Sequence, residues 1–212
     1  EYCYKGNECT EQDIYSAAAL ITGSGADFID AVASFHFGKD GSVGLGKGIF
    51  YCDPLINLLC YDMDYAKAAD TCKKALDTFE KYSAHPKYSY YKLLFEIILK
   101  KAGLIDGLQR EYKANNKKYL SETAEKTIPE LQKLYKRFYE VFGENWLRVN
   151  KPFGYEVFAQ RFGGIDLRLS YAQKRLLEYC EGKTDRIEEL EEEIVTGLNM
   201  TWRYANNYMN TI

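Results

Sequence analysis

Phe158, Phe162, Ile165, Leu169, Ala172, Leu176 and Tyr179 form an apolar series whose members are separated by alternating steps of four and three, and this series constrains the fold more than any other feature of the chain. The spacing matches the turn of an α-helix and sets the side chains on one face of a single long helix. A strand would instead alternate at every second residue. No such alternation flanked by hairpin turns occurs elsewhere, so the stripe must be buried by other helices and the chain is predicted to be all-α. Gly182 is placed to end this helix. Beyond it, Asp185 and Glu188 read as the cap of a last helix with its own stripe at Ile187, Leu190, Ile194, Leu198, Trp202, Ala205 and Met209. The two stripes together predict a long antiparallel C-terminal pair.

Similar patterns recur upstream. Thr10 and Asp13 resemble a capping box at the head of a short amphipathic helix running through Ile14, Ala17, Ala18 and Ile21 to Gly23. A second helix is predicted over 26–37, and the run Gly38, Gly41, Gly44, Gly46 and Gly48 reads as a loop over 38–50. Ala69, Cys72, Leu76 and Phe79 mark a helix over 64–82. Tyr91, Leu94, Phe95, Ile98, Ala102 and Ile105 mark the next, with Gly103 and Gly107 as places where it can bend and Asn115 and Asn116 as its end. Thr127 and Glu130 read as a second capping box, before Ile128, Leu131, Leu134, Phe138 and Val141 line one face. The expected architecture is a bundle-like array of about six to eight helices.

The composition excludes several functions. Lys and Arg number 28 against 31 for Asp and Glu, a net charge of −3 that offers nucleic acid no basic face. No stretch has the roughly 18 apolar residues a membrane span needs. The six cysteines are scattered without a CxxC pair and there are only two histidines, so the expectation is reduced packing thiols, no metal site and no cofactor. The glycine run lacks the GxxxxGK[ST] pattern of a phosphate loop. The acidic run Glu188, Glu189, Glu191, Glu192 and Glu193 reads as a solvated face at a helix start. No Ser, His and Asp set suggests a nucleophile, and no catalytic residue is assigned.

The stretch NWLRVNKPFGYEVFAQRFGG, Asn145 to Gly164, resembles a signature in the C-terminal region of a bacterial branch of family 20 glycoside hydrolases. Arg168 and LLEYCEGKTDRIEELEE, Leu176 to Glu192, resemble the helix, turn and acidic helix that follow it in that family. GIFYCDPL, Gly48 to Leu55, resembles a short segment in which an aromatic residue and Asp-Pro precede a leucine-rich turn. YCYKGNECT at the start is similar to the end of the barrel's last strand and its exit loop. There Tyr2, Tyr4 and Lys5 replace the family's tryptophan and paired aspartates, leaving Gly6 and Glu8 in register.

The resemblance implies an exo-β-N-acetylhexosaminidase in which the substrate's own acetamido group is the nucleophile and an Asp-Glu pair on the barrel orients it and protonates the leaving oxygen. No Asp-Glu dipeptide occurs in these 212 residues. The implied organisation is therefore a barrel remnant over 1–9 and a single non-catalytic helical accessory domain over 10–212. Its implied partners are its own catalytic barrel in the parent chain, a second copy in a homodimer and, through the parent enzyme, an N-acetylhexosamine-terminated glycan. A cytoplasmic setting is expected. Candidate residues at the substrate rim or an interface are Glu8, Trp146, Asn150, Lys151, Glu156, Arg161 and Arg168. The alternative reading is an independent helical module that binds a protein through exposed aromatic surface.

Overall fold

Helices account for all the regular structure of the described residues, which in this computed structural model are 8–34, 45–57 and 63–192. In chain order they are α1 (Glu11–Thr22), α2 (Ala26–Ala33), α3 (Leu45–Tyr51), α4 (Tyr65–Glu80), α5 (Tyr88–Lys113), α6 (Lys117–Glu122), α7 (Ile128–Val149), α8 (Tyr155–Cys180) and α9 (Glu188–Glu191). A π-helical turn, Thr123–Thr127, joins α6 to α7 without a break. The chain is all-α as expected. α5 is central, with α4 on one side, α7 on another and α3 against it, while α8 returns along α7 and α6.

Both ends of α1 are fixed as its sequence predicts. Asp13 N–H donates to Thr10 Oγ1 at 3.2 Å and Thr10 N–H donates to Asp13 Oδ2 at 2.9 Å, closing the capping box. Gly23 takes the left-handed conformation (φ 70°) that ends the helix. The stripe of α8 is equally well placed. Phe162, Leu169, Ala172, Leu176 and Tyr179 are buried, and Phe158 and Ile165 pack at the margin of the core. α5 is one unbroken helix through Gly103 and Gly107. It stops at Ala114, followed by Asn115 with φ 53°.

Several expectations need correction. Residues 45–51 are helical, although the glycine spacing reads as a loop, because Ile49 and Phe50 are buried and burial outweighs the poor helix propensity of Gly46 and Gly48. Phe50 meets Tyr51, Tyr135, Phe138 and Phe162 edge-to-face. Its carbonyl, in the last turn of α3, accepts from Lys101 Nζ at 2.8 Å and Tyr135 Oη at 2.6 Å, so a buried cation and a hydroxyl cap the negative end of that helix. In α4 the buried face is Ala68, Cys72, Ala75 and Phe79, with Ala69 and Leu76 one position off centre. α2 ends at Ala33 with Ser34 as its cap, short of the expected residue 37.

Thr127 caps nothing. It is helical (φ −64°, ψ −45°) and makes no side-chain cap bond, while Glu130 pairs with Lys100 at 2.5 Å. The helix starts earlier, where Asn116 accepts from Tyr119 N–H. The widened π turn sits just ahead of Pro129, which lacks an N–H and would collide with a carbonyl in a regular ladder. Asp185 is not a cap either, since Ile187 occupies the N-cap of α9. Ile187 and Leu190 are buried as predicted, while the stripe from Ile194 to Met209, and with it the long antiparallel C-terminal pair, lies outside the described residues. The acidic run is not simply solvated. Glu188 pairs with Arg175 at 2.5 Å, Glu189 accepts from Tyr171 at 2.7 Å and Glu191 accepts from Tyr112 at 2.5 Å.

Candidate functional site

The stretch Asn145 to Gly164 folds as the turn between α7 and α8. Asn150 is extended (φ −125°, ψ 160°) at the end of α7, and Gly154 (φ 91°) supplies the left-handed step that a side chain would strain. Trp146 closes the turn by donating Nε1–H to Lys151 O at 3.0 Å, with its ring against Phe142 and Phe158. Glu156 accepts from Gly154 N–H at 2.7 Å. Trp146, the Lys151 carbonyl and Glu156 therefore hold the turn, while the side chains of Asn150, Lys151 and Phe153 face solvent.

Further along α8, two arginines reach the segment leaving α3. Arg161 bonds to Tyr51, whose phenol burial pushes up and Arg161 partly restores. The Arg161 guanidinium also lies 5.9 Å from the Phe158 ring centre. Arg168 donates Nε–H to Asp53 Oδ2 at 2.5 Å and sits 4.5 Å over the ring of Tyr171. Asp53 is buried and its other oxygen accepts from the N–H groups of Leu55 and Ile56, each at 3.0 Å. FYCDPL and the arginines of α8 are thus one physical unit, joined across 115 positions.

The candidate residues do not converge on one pocket. Trp146, Lys151 and Glu156 share the α7–α8 turn, Arg161 and Arg168 lie against the α3 exit, and Glu8 is exposed ahead of α1. Glu96 is the carboxyl that burial raises, but its neighbours in the field are Lys92, Lys100 and the exposed Glu80, and the two lysines are paired with Glu80 and Glu130. That is an ion-pair ladder between helices rather than two carboxyls facing a glycosidic bond. The Cys72 thiol is pushed up to about 12 by burial, which keeps it protonated and unreactive. Among the described residues no group of three His, Cys, Asp or Glu side chains could hold a metal ion, and no helix is long and apolar enough to cross a membrane.

The family model of the Glycoside Hydrolase 20C C-terminal domain matches residues 40–203. The chain belongs to this family. The match covers the α3 exit, the α7–α8 turn and both arginine contacts, and it begins after α1 and α2. As a C-terminal domain of a family 20 glycoside hydrolase, it implies a catalytic domain in the same parent chain. Comparison with curated proteins finds no match. Sequence reasoning missed two features of this domain: the bonds of Lys87 and Arg148 to the same oxygen of Asn145, and the outward face of α1. Asn145 and Arg148 both stand in the signature stretch, but Lys87 is 58 positions away and no local pattern marks it.

Proposed function

We propose that this domain is a non-catalytic support of an exo-β-N-acetylhexosaminidase that removes terminal β-linked N-acetylhexosamine, and that α1 is the element that docks on the catalytic barrel. The observation that carries this reading is the outward face of α1. Ile14, Ala17, Ala18 and Ile21 follow helical spacing, yet Leu20 and Ile21 are 86% and 85% exposed, Ile14 is exposed as well, and only Ala19 is buried. A helix of 12 residues is marginal in water without a packed face. α1 packs mainly on α2, and His85 Nε2 meets its last-turn carbonyl of Thr22 at 3.2 Å. Among the described residues the core leaves the apolar stripe of α1 uncovered, on the element ahead of the family-matched region, where an exposed apolar face marks a contact. The buried thiols of Cys52 and Cys72 fit a cytoplasmic setting.

The test is a double substitution, Leu20→Asp with Ile21→Asp, made both in this chain and in the full-length parent. The isolated chain keeps its melting temperature, because neither side chain is buried. The parent loses barrel stability and hydrolyses a chromogenic N-acetylglucosaminide less well after heating. An unaltered parent defeats the barrel contact, and a parent dimer that dissociates on substitution reassigns the face to a homodimer interface.

A further inference from the structure

Two cations meet on one neutral oxygen at the head of α5. Lys87 Nζ donates to Asn145 Oδ1 at 2.5 Å, and Arg148 Nη2 donates to the same oxygen at 3.2 Å. Asn145 Nδ2 donates to Val141 O at 2.8 Å, which fixes the amide with its oxygen toward the cations. One bond from each cation to Asn145 leaves further ammonium and guanidinium protons over for a second acceptor.

The described surroundings supply no ion-pair partner. Neither cation has a carboxylate within ion-pair distance among the described residues. Glu144, four residues before Arg148 and in range for a helical pair, is exposed and bonds to neither. Lys87 is the N-cap residue of α5, a helix with no side-chain cap and no acidic residue in its first turn, so the positive end of the helix adds to the same field. Partial burial, and then the charge of Arg148, hold the Lys87 ammonium below the usual lysine range. Two like charges held together by a neutral amide are what a bound anion would stabilise.

We propose that Lys87 and Arg148, positioned by Asn145, form a binding site for a single oxyanion, a carboxylate or a phosphate group. Arg148 offers a planar edge and Lys87 a point charge beside it, so a two-oxygen face can bridge them. The site does not depend on what α1 contacts. The same chemistry is available from a small anionic solute and from an acidic side chain of the catalytic domain.

The experiment titrates the whole 212-residue chain with sodium phosphate and, separately, with sodium acetate at constant ionic strength, following the Asn145 side-chain amide resonances, which the variants retain, and in the unsubstituted chain the Arg148 Nε–Hε resonance as well. Saturable shifts are expected with at least one probe. Lys87→Met with Arg148→Met is expected to weaken binding about tenfold or more, while Glu144→Gln, which removes a carboxylate one helical turn from Arg148, tightens it. Circular dichroism melts confirm that each variant folds. In the parent protein, a site already filled by the catalytic domain's own carboxylate gives no shift, whereas a solute site titrates as in this chain. Absence of any saturable shift in the folded chain, or equal affinity in the double variant, overturns the proposal.

Discussion

Arg168 on α8 donates its Nε–H to Asp53 at the exit of α3, and the two partners are unequally solvated, with 39% of the Arg168 side chain exposed against 2% of Asp53. Losing Arg168 leaves a buried carboxylate with only the Leu55 and Ile56 N–H groups as partners. Arg168→Met should therefore destabilise the domain by roughly 3 kcal/mol, the low end for breaking a buried pair. Asp53→Asn should cost less, about 1 to 2 kcal/mol, because the amide oxygen keeps the backbone bonds and Arg168 can turn to water. Urea denaturation of the two variants checks the order, and a larger loss for Asp53→Asn would contradict it.

Glycines at two helical positions should respond in opposite directions to alanine. A Cβ on Gly143 would fall 2.3 Å from Tyr155 Oη and 2.9 Å from its ring carbon, and that ring is held in a stack with Tyr139 and Phe142. Gly143→Ala should cost about 1 to 3 kcal/mol through overpacking. Gly103 has nothing within 4 Å of the same position, so Gly103→Ala should stabilise α5 by about 0.5 to 1 kcal/mol. Thermal melts distinguish the two signs.

Stability should fall at alkaline pH. Burial raises the Cys72 thiol from 9.0 to about 12 and the Tyr90 phenol from 10.0 to about 12. Both are neutral in the folded chain while the unfolded chain has already released the proton. Their contribution is complete below pH 9 and is lost as pH rises toward the folded values, at about 1.4 kcal/mol per pH unit for each group within its window. Urea midpoints from pH 7 to pH 11 follow this decline, and Cys72→Ala should flatten its first part, between 9 and 10.

Helices with a strong stripe were legible because burial and local period agree. The face of α8 and the capping box of α1 are examples. Sequence patterns misled where a distant contact overrode a local signal. Gly46 and Gly48 say loop, yet Phe50 is clamped by Lys101 and Tyr135 from two other helices. Thr127 and Glu130 have the spacing of a cap, but the chain is already helical from Asn116 and passes Pro129 by widening one turn. For the candidate residues Trp146, Glu156, Arg161 and Arg168, the local pattern does not reveal the partners that the fold gives them. Asp53 is 115 positions from Arg168. The outward direction of α1 was invisible for the same reason, since an amphipathic period shows which face is apolar and not what covers it.

The most direct test of a non-catalytic support role is hydrolysis of a chromogenic N-acetylglucosaminide by three preparations: this chain, the full-length parent, and the parent carrying Leu20→Asp with Ile21→Asp, each assayed before and after a heat step. The predicted result is no turnover above buffer for this chain, turnover by the parent, and faster heat inactivation of the substituted parent. Turnover by this chain alone, or equal heat resistance of the two parents, would contradict it.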